Sequence, residues 1–222
     1  MGLPNGRGLA KVVDRVIPGP GSVLDTASQR IQRSINRIQD NGAGRLLVKT
    51  LRGDDWLGHP AHPIAVTVPI GAWVTAAFFD LRSLPGGRPV DEHAADTALR
   101  LGVLGAAPAA AMGWAQFLTT TGGARRQTVV HAALVNAGLL LNVSSLAARA
   151  SGHRRAGRQL SCVALAVVGI SGFLGGDLAY RLGVGVHRGG YQVEGPDPVA
   201  AADPGDSGDL SFEERIAPSR RQ

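Results

Sequence analysis

The chain is poor in the residue patterns on which most catalysis rests. It has one cysteine in 222 residues, so it can form neither an internal disulfide nor a cysteine-based metal cluster. Cys162 stands in an apolar stretch and reads as a quiet thiol. Ser144, Ser145 and the six histidines show no Gly-x-Ser-x-Gly nucleophile motif. "GGARRQT" and "GVGVHRGG" are Gly-rich, yet neither follows a strand-to-helix pattern or carries the Lys of a phosphate loop. Aromatic residues make up 5% of the chain. The basic residues behind the net charge of +6 lack aromatic partners, so lipid headgroups account for them better than nucleic acid. These absences argue against a hydrolase, and no catalytic residue is assigned.

Charge is also missing from four long stretches, and this absence is the main signal. The mean hydropathy of +0.06 would fit a soluble protein if the 44% hydrophobic residues were spread evenly. They are concentrated at about Ile64 to Leu84, Ala98 to Leu118, Val129 to Ala147 and Leu160 to Leu178. Each stretch approaches the roughly 20 residues a helix needs to cross the hydrocarbon core. Backbone amides inside a bilayer must be paired within a helix or a closed barrel, and period-2 alternation is absent. The expected fold is therefore an all-α integral membrane four-helix bundle. The competing reading, a soluble bundle, requires polar helix faces that these stretches lack.

Three regions are expected: a basic segment at 1–55, the four-helix domain at 56–187 and a tail at 188–222. In the first, "SVLDTASQRIQRSINRIQD" spaces Leu24, Ala27, Ile31, Ile35 and Ile38 as an amphipathic helix. Two positions for it remain open: at the headgroup level on anionic lipid, or packed on the domain's own surface. "NGAG" then ends it. The tail, rich in Pro, Gly, Asp and Ser, is expected to be disordered. No cleavable signal peptide is expected at the start of the chain. Basic residues near the membrane tie between the two faces; the basic N-terminal segment without an export signal favours cytoplasmic termini in a bacterial cytoplasmic membrane.

An up-and-down trace gathers His59, His62, Gln116, His131, Asp177, Tyr180 and His187 at one membrane face. The third helix carries His131, Gly138, Asn142, Ser145 and Arg149 at spacings of seven, four, three and four, which makes one polar face. At the opposite end Asp80 can pair with Arg100 or Arg149, as a structural ion pair or as part of a functional path. Small residues at Gly105, Ala109 and Gly113, and again at Gly172 and Gly176, mark expected helix contacts. In "GHPAHP", Pro60 and Pro63 are expected to hold His59 and His62 in extended conformations. The motif is either a stiff approach to the first helix or, with His131, a set of imidazoles that ligate a metal or haem iron or relay protons.

The string "WLGHPAHPIAVTVPIGAWVTAAFFDL", followed in order by "GVLGAAPAAAMGWAQF", "RRQTVVHAALVNAGLLLNVSSLAAR" and "GFLGGDLAYRLGVGV", resembles an uncharacterised bacterial membrane family, domain of unknown function 2231. The resemblance covers about Leu51 to Val186 and implies four membrane helices. Some members are fused to a Rieske iron-sulfur domain, which implies electron transfer for those members. This chain cannot build a Rieske cluster, because that needs two Cys and two His. Members often carry Asp and Trp at the positions of Gln116 and Phe117 and a His near Asp177, whereas His59, His62 and His131 match the family pattern.

The leading functional expectation is a noncatalytic membrane scaffold or interaction subunit. The first alternative is a redox-linked component binding haem or a metal through His59, His62 and His131; the second is a small transporter or proton path past Asn142, Ser145, Asp80 and Asp177. Expected partners are membrane lipids, with a separate redox protein or a second copy of the chain as the protein candidates.

Overall fold

The computed structural model describes residues 8–84 and 86–186. The expected disordered tail and His187 lie outside them. Among the described residues the chain is helical: α1 (Gly8–Val16), α2 (Val23–Asn36), a 3-10 turn (Arg37–Asp40), α3 (Gly42–Arg52), α4 (His62–Ala65), α5 (Thr67–Arg82), α6 (Pro89–Phe117), α7 (Gly122–Ala150) and α8 (Arg154–Tyr180). The combined segment His62–Arg82 and helices α6, α7 and α8 are long and apolar enough to cross a membrane. They match the four expected spans, but α7 and α8 overrun theirs at both ends, while α6 starts earlier than expected and stops one residue short of Leu118. Polar helical ends such as Pro89–Asp96 and Arg154–Arg158 extend the backbone pairing beyond the apolar stretch, where water can solvate the side chains.

α5 packs on α6 and α7 on α8, forming two hairpins; α6 also meets α7, and α8 meets α5. α5 and α7 therefore face one another along a diagonal. Trp73, Ala76, Leu99, Ala106 and Val168 form the apolar centre, with Leu139, Leu146 and Leu165 against it. The packing is inverted relative to a water-soluble protein. Asn142, Ser145 and Ser171 are among the most deeply buried side chains, while Val74, Phe78, Leu104, Leu140, Ile170 and Phe173 are exposed. An apolar belt of this kind costs about 25 cal/mol per Å² in water and nothing against acyl chains, which removes the soluble alternative.

The two hairpins repeat one burial register. Buried Pro69, Trp73, Ala76 and Asp80 on α5 match buried Gly138, Asn142, Ser145 and Arg149 on α7, each pair sixty-nine residues apart. Buried Ala95, Gly102, Ala106 and Ala109 on α6 match Gly157, Ala164, Val168 and Ser171 on α8 at an offset of sixty-two. This is the geometry of a parallel repeat about an axis along the membrane normal. Gly105 and Gly113 are helix contacts as expected, for an added Cβ would meet Val68 and His62. Gly172 and Gly176 are not: an added Cβ would meet nothing within 4 Å, because the α8 face that packs inward is the one bearing Ser171 and Gly175.

On the terminal side, Ser22 caps α2 by accepting from the Asp25 amide, as a Ser N-cap should. Gln32 Nε2 donates to the Phe117 and Thr120 carbonyls at 2.9 and 2.8 Å, which satisfies the C-terminal end of α6. Arg125 reaches Asp25 Oδ1 at 3.0 Å and Arg126 at 3.3 Å. The Gly21 amide donates to the Asp25 carboxylate; this bond, with both guanidinium groups, holds the carboxyl below the usual aspartate range despite its burial. α2 thus packs on the domain's own surface. α2 gives way to the 3-10 turn four residues before "NGAG", and Asn41 caps α3 through the Gly44 amide, so the glycines begin a further helix instead of ending the amphipathic one.

Candidate functional site

Within "GHPAHP" the two imidazoles part company. Ala61 is buried, its amide donating to the Arg52 carbonyl at 2.8 Å. Pro60 lies under Gly185, where an added Cβ would stand 2.6 Å from Pro60 Cγ. His59 is exposed, its Nδ1 3.2 Å from the neighbouring Pro60 carbonyl. His62 is not extended, as the following proline would favour, but opens α4. Pro63 then sits in the first turn, where its missing N–H leaves no bond unmade. The His62 carbonyl accepts from the Val66 amide at 3.0 Å, which offsets the pre-proline preference.

From that turn His62 faces inward. Its ring plane stands perpendicular to that of His131 of α7, with centroids 6.4 Å apart. Both rings are held the same way. His62 Nδ1 is 2.9 Å from the Ala109 carbonyl on α6, and His131 Nδ1 is 2.9 Å from the Ser171 carbonyl on α8. A carbonyl can only accept, so each Nδ1 carries a proton, which in a neutral imidazole leaves the lone pair on Nε2. Ser171 Oγ lies 2.9 Å from His131 Nδ1 and donates to the His131 carbonyl at 3.1 Å. One turn beyond each acceptor is a glycine that makes room: a Cβ on Gly113 would come within 2.9 Å of His62 Cε1, and one on Gly175 within 3.1 Å of His131 Cε1. His62 and His131 are also sixty-nine residues apart, so the repeat brings one device, used twice, to a single point. His59 makes no ring contact with either, and among the described residues no three His, Cys, Asp or Glu gather around a metal position.

Eighteen residues beyond each histidine stand Asp80 and Arg149. Eighteen residues are five helical turns, about 27 Å of rise, so this second pair lies on the same diagonal at the other end. Arg149 Nη1 donates to Asp80 Oδ1 at 2.8 Å and to Asp96 Oδ1 at 3.0 Å, and Nη2 closes the fork on Asp80 Oδ2. Arg154 binds Asp96 and Glu92. Ser145 Oγ accepts from Arg149 Nε at 3.1 Å and donates to the Gly157 carbonyl at 2.6 Å. Of the two partners open to Asp80, the structure selects Arg149. Both ions are buried, and a fully bonded fork of this kind is how two charges remain inside.

The α7 stripe expected from spacing is the interior face: Gly138, Asn142, Ser145 and Arg149 are all buried. Asp177 lies at the histidine end, bonded to Gln127 Nε2 at 2.8 Å and forked by Arg181. Arg181, just beyond α8, has its pKa raised by Asp177 and stays charged. Sequence reasoning missed Ala109, Gly113, Ser171 and Gly175 as the seats of the imidazoles. It also missed the repeat, whose one plain signal was the equal spacing from His62 to Asp80 and from His131 to Arg149.

Helices that bury polar groups and expose apolar belts define a multi-pass helical membrane protein. Residues 58–188 match the family described as predicted membrane protein, domain of unknown function 2231, and the chain belongs to that family. No curated protein and no solved structure matches it.

Proposed function

We propose that the protein is a redox-linked membrane component that holds a single metal centre between His62 and His131. The observation that carries this reading is the paired imidazoles, each with Nδ1–H fixed to a backbone carbonyl. This is the second-shell arrangement that orients a histidine to ligate through Nε2. A bare ion wants about four donors, and the described residues offer two. A haem group asks fewer ligands of the protein; if one were bound, His62 and His131 would hold it, and it would supply one-electron chemistry. His59 has no part in the site, and the expected scaffold role becomes the reading to adopt if no metal is found.

The test is an absorption spectrum and elemental analysis of protein purified in mild detergent without added metal or chelator. A Soret band with stoichiometric iron, lost in His62→Ala and in His131→Ala but retained in His59→Ala, is expected. A folded, colourless and metal-free protein refutes the reading.

A further inference from the structure

On the diagonal between the histidine pair and the ion pair stands a third pair, Trp73 and Asn142. Each is eleven residues after its histidine and seven before its ion. Eleven residues fall close to three whole turns, so both side chains keep the direction of the histidines, and that direction is inward. Trp73 is 4% exposed and Asn142 1%. Leu139 and Leu146, about one turn to either side of Asn142, pack against the cluster that contains Trp73. The indole lies on Gly102, where a Cβ would come within 2.3 Å of Nε1.

Three polar atoms here have no hydrogen-bond partner: Trp73 Nε1, Asn142 Nδ2 and Asn142 Oδ1. In an apolar interior such groups are costly unless bonded, and native proteins satisfy nearly all of them. The three are complementary in kind, two donors and one acceptor, yet no hydrogen bond joins them. Such a set suits an occupant that both accepts and donates. Buried waters make about three bonds to groups of this sort, and a polar contact too long to be direct is commonly bridged by one.

We propose that Trp73 and Asn142 hold an internal water that ties the two hairpins together at the centre of the membrane domain. The water accepts from the indole N–H and from the Asn142 amide N–H, and donates to Asn142 Oδ1. The diagonal then carries three contacts between hairpins: an imidazole ring contact at one end, a water bridge in the middle and an ion pair at the other end. This site is independent of any metal on the histidines.

The test uses full-length protein in nanodiscs with Trp56→Phe and Trp114→Phe, which leaves Trp73 as the reporter. Its emission should be red of a dry indole and brighter in D2O than in H2O; no solvent isotope effect would overturn the proposal without any change at the site. Asn142→Leu expels the water and should shift the emission to the blue. Asn142→Leu and Trp73→Phe should each lower the Tm by several degrees, and the double variant should lose no more than the worse single. Additive losses, or a Tm raised by Asn142→Leu alone, would mean that the amide is dry. If Asn142→Leu does not fold, Asn142→Ser keeps a donor and an acceptor and should leave the emission where it is; a blue shift there would count against the water.

Discussion

The sharpest energetic consequence of the fold concerns Arg149. Its side chain is 2% exposed and bridges Asp80 on α5 and Asp96 on α6 from α7, with Ser145 and Ser161 accepting its remaining bonds. Arg149→Met retains most of the stem volume and deletes the charge. Asp80 is then left buried with no cation, while Asp96 keeps Arg154. Breaking a buried pair by removing one partner costs about 3–5 kcal/mol. At about 2–4 °C per kcal/mol for a chain of this size, that is roughly 6–20 °C in Tm, readable by intrinsic fluorescence during heating in detergent. Adding Asp80→Asn removes the orphaned charge, so the double variant should recover most of the loss. A single variant that melts within about 2 °C of wild type, or a double variant no better than the single, would show that the fork contributes no such stability and that the diagonal is not locked at this end.

Further outcomes follow from the same geometry. Gly113→Ala and Gly175→Ala push a methyl against His62 and His131 and should reduce bound metal several-fold while the protein still folds; Gly172→Ala, with nothing near its Cβ, should leave it unchanged. Gly102→Ala forces the Trp73 indole to move and should cost about 1–3 kcal/mol as overpacking, measured as a fall in Tm. The lowered pKa of Asp25 means that its contribution to docking α2 is complete above the unfolded value near 3.9 and is lost as pH falls through the folded value. A fluorophore pair on α2 and the 118–121 loop should therefore report a constant distance from pH 5 to 8 and separation only as pH falls below the unfolded value and through the lowered folded one. Asp25→Asn should separate the pair at every pH.

The four long helices were legible because uncharged stretches of spanning length have few other solutions. The inward face of α7 was legible because the spacings from His131 to Arg149 follow helical turns. What failed was local: His59 and His62 are three residues apart, and sequence proximity cannot show that a turn fixed by Pro60 and Ala61 sends one imidazole to the surface and the other into the interior. α1 and α3, of nine and eleven residues, are too short to stand out by periodicity. Nor did the sequence show what packs on α2, since a basic amphipathic helix suits lipid and protein equally until Asp25 meets Arg125 and Arg126. The repeat was hidden because its two offsets differ by seven residues: the loop between α5 and α6 is longer than that between α7 and α8, and the helix ends flanking it are longer too.

The repeat also explains why its three axial pairs differ in kind. Two hairpins related by a pseudo-twofold axis place equivalent residues opposite each other. A shared central ligand asks the same of both sides, and at that level both halves carry histidine with the same carbonyl and glycine seat. At the far end identical residues would be repulsive: two carboxylates or two guanidinium groups facing across a buried diagonal cannot both stay charged without several kcal/mol of penalty. There the halves carry Asp80 and Arg149, so the first hairpin prefers the second over another copy of itself. Symmetry is kept where a ligand can sit on the axis and broken where the two hairpins must recognise each other.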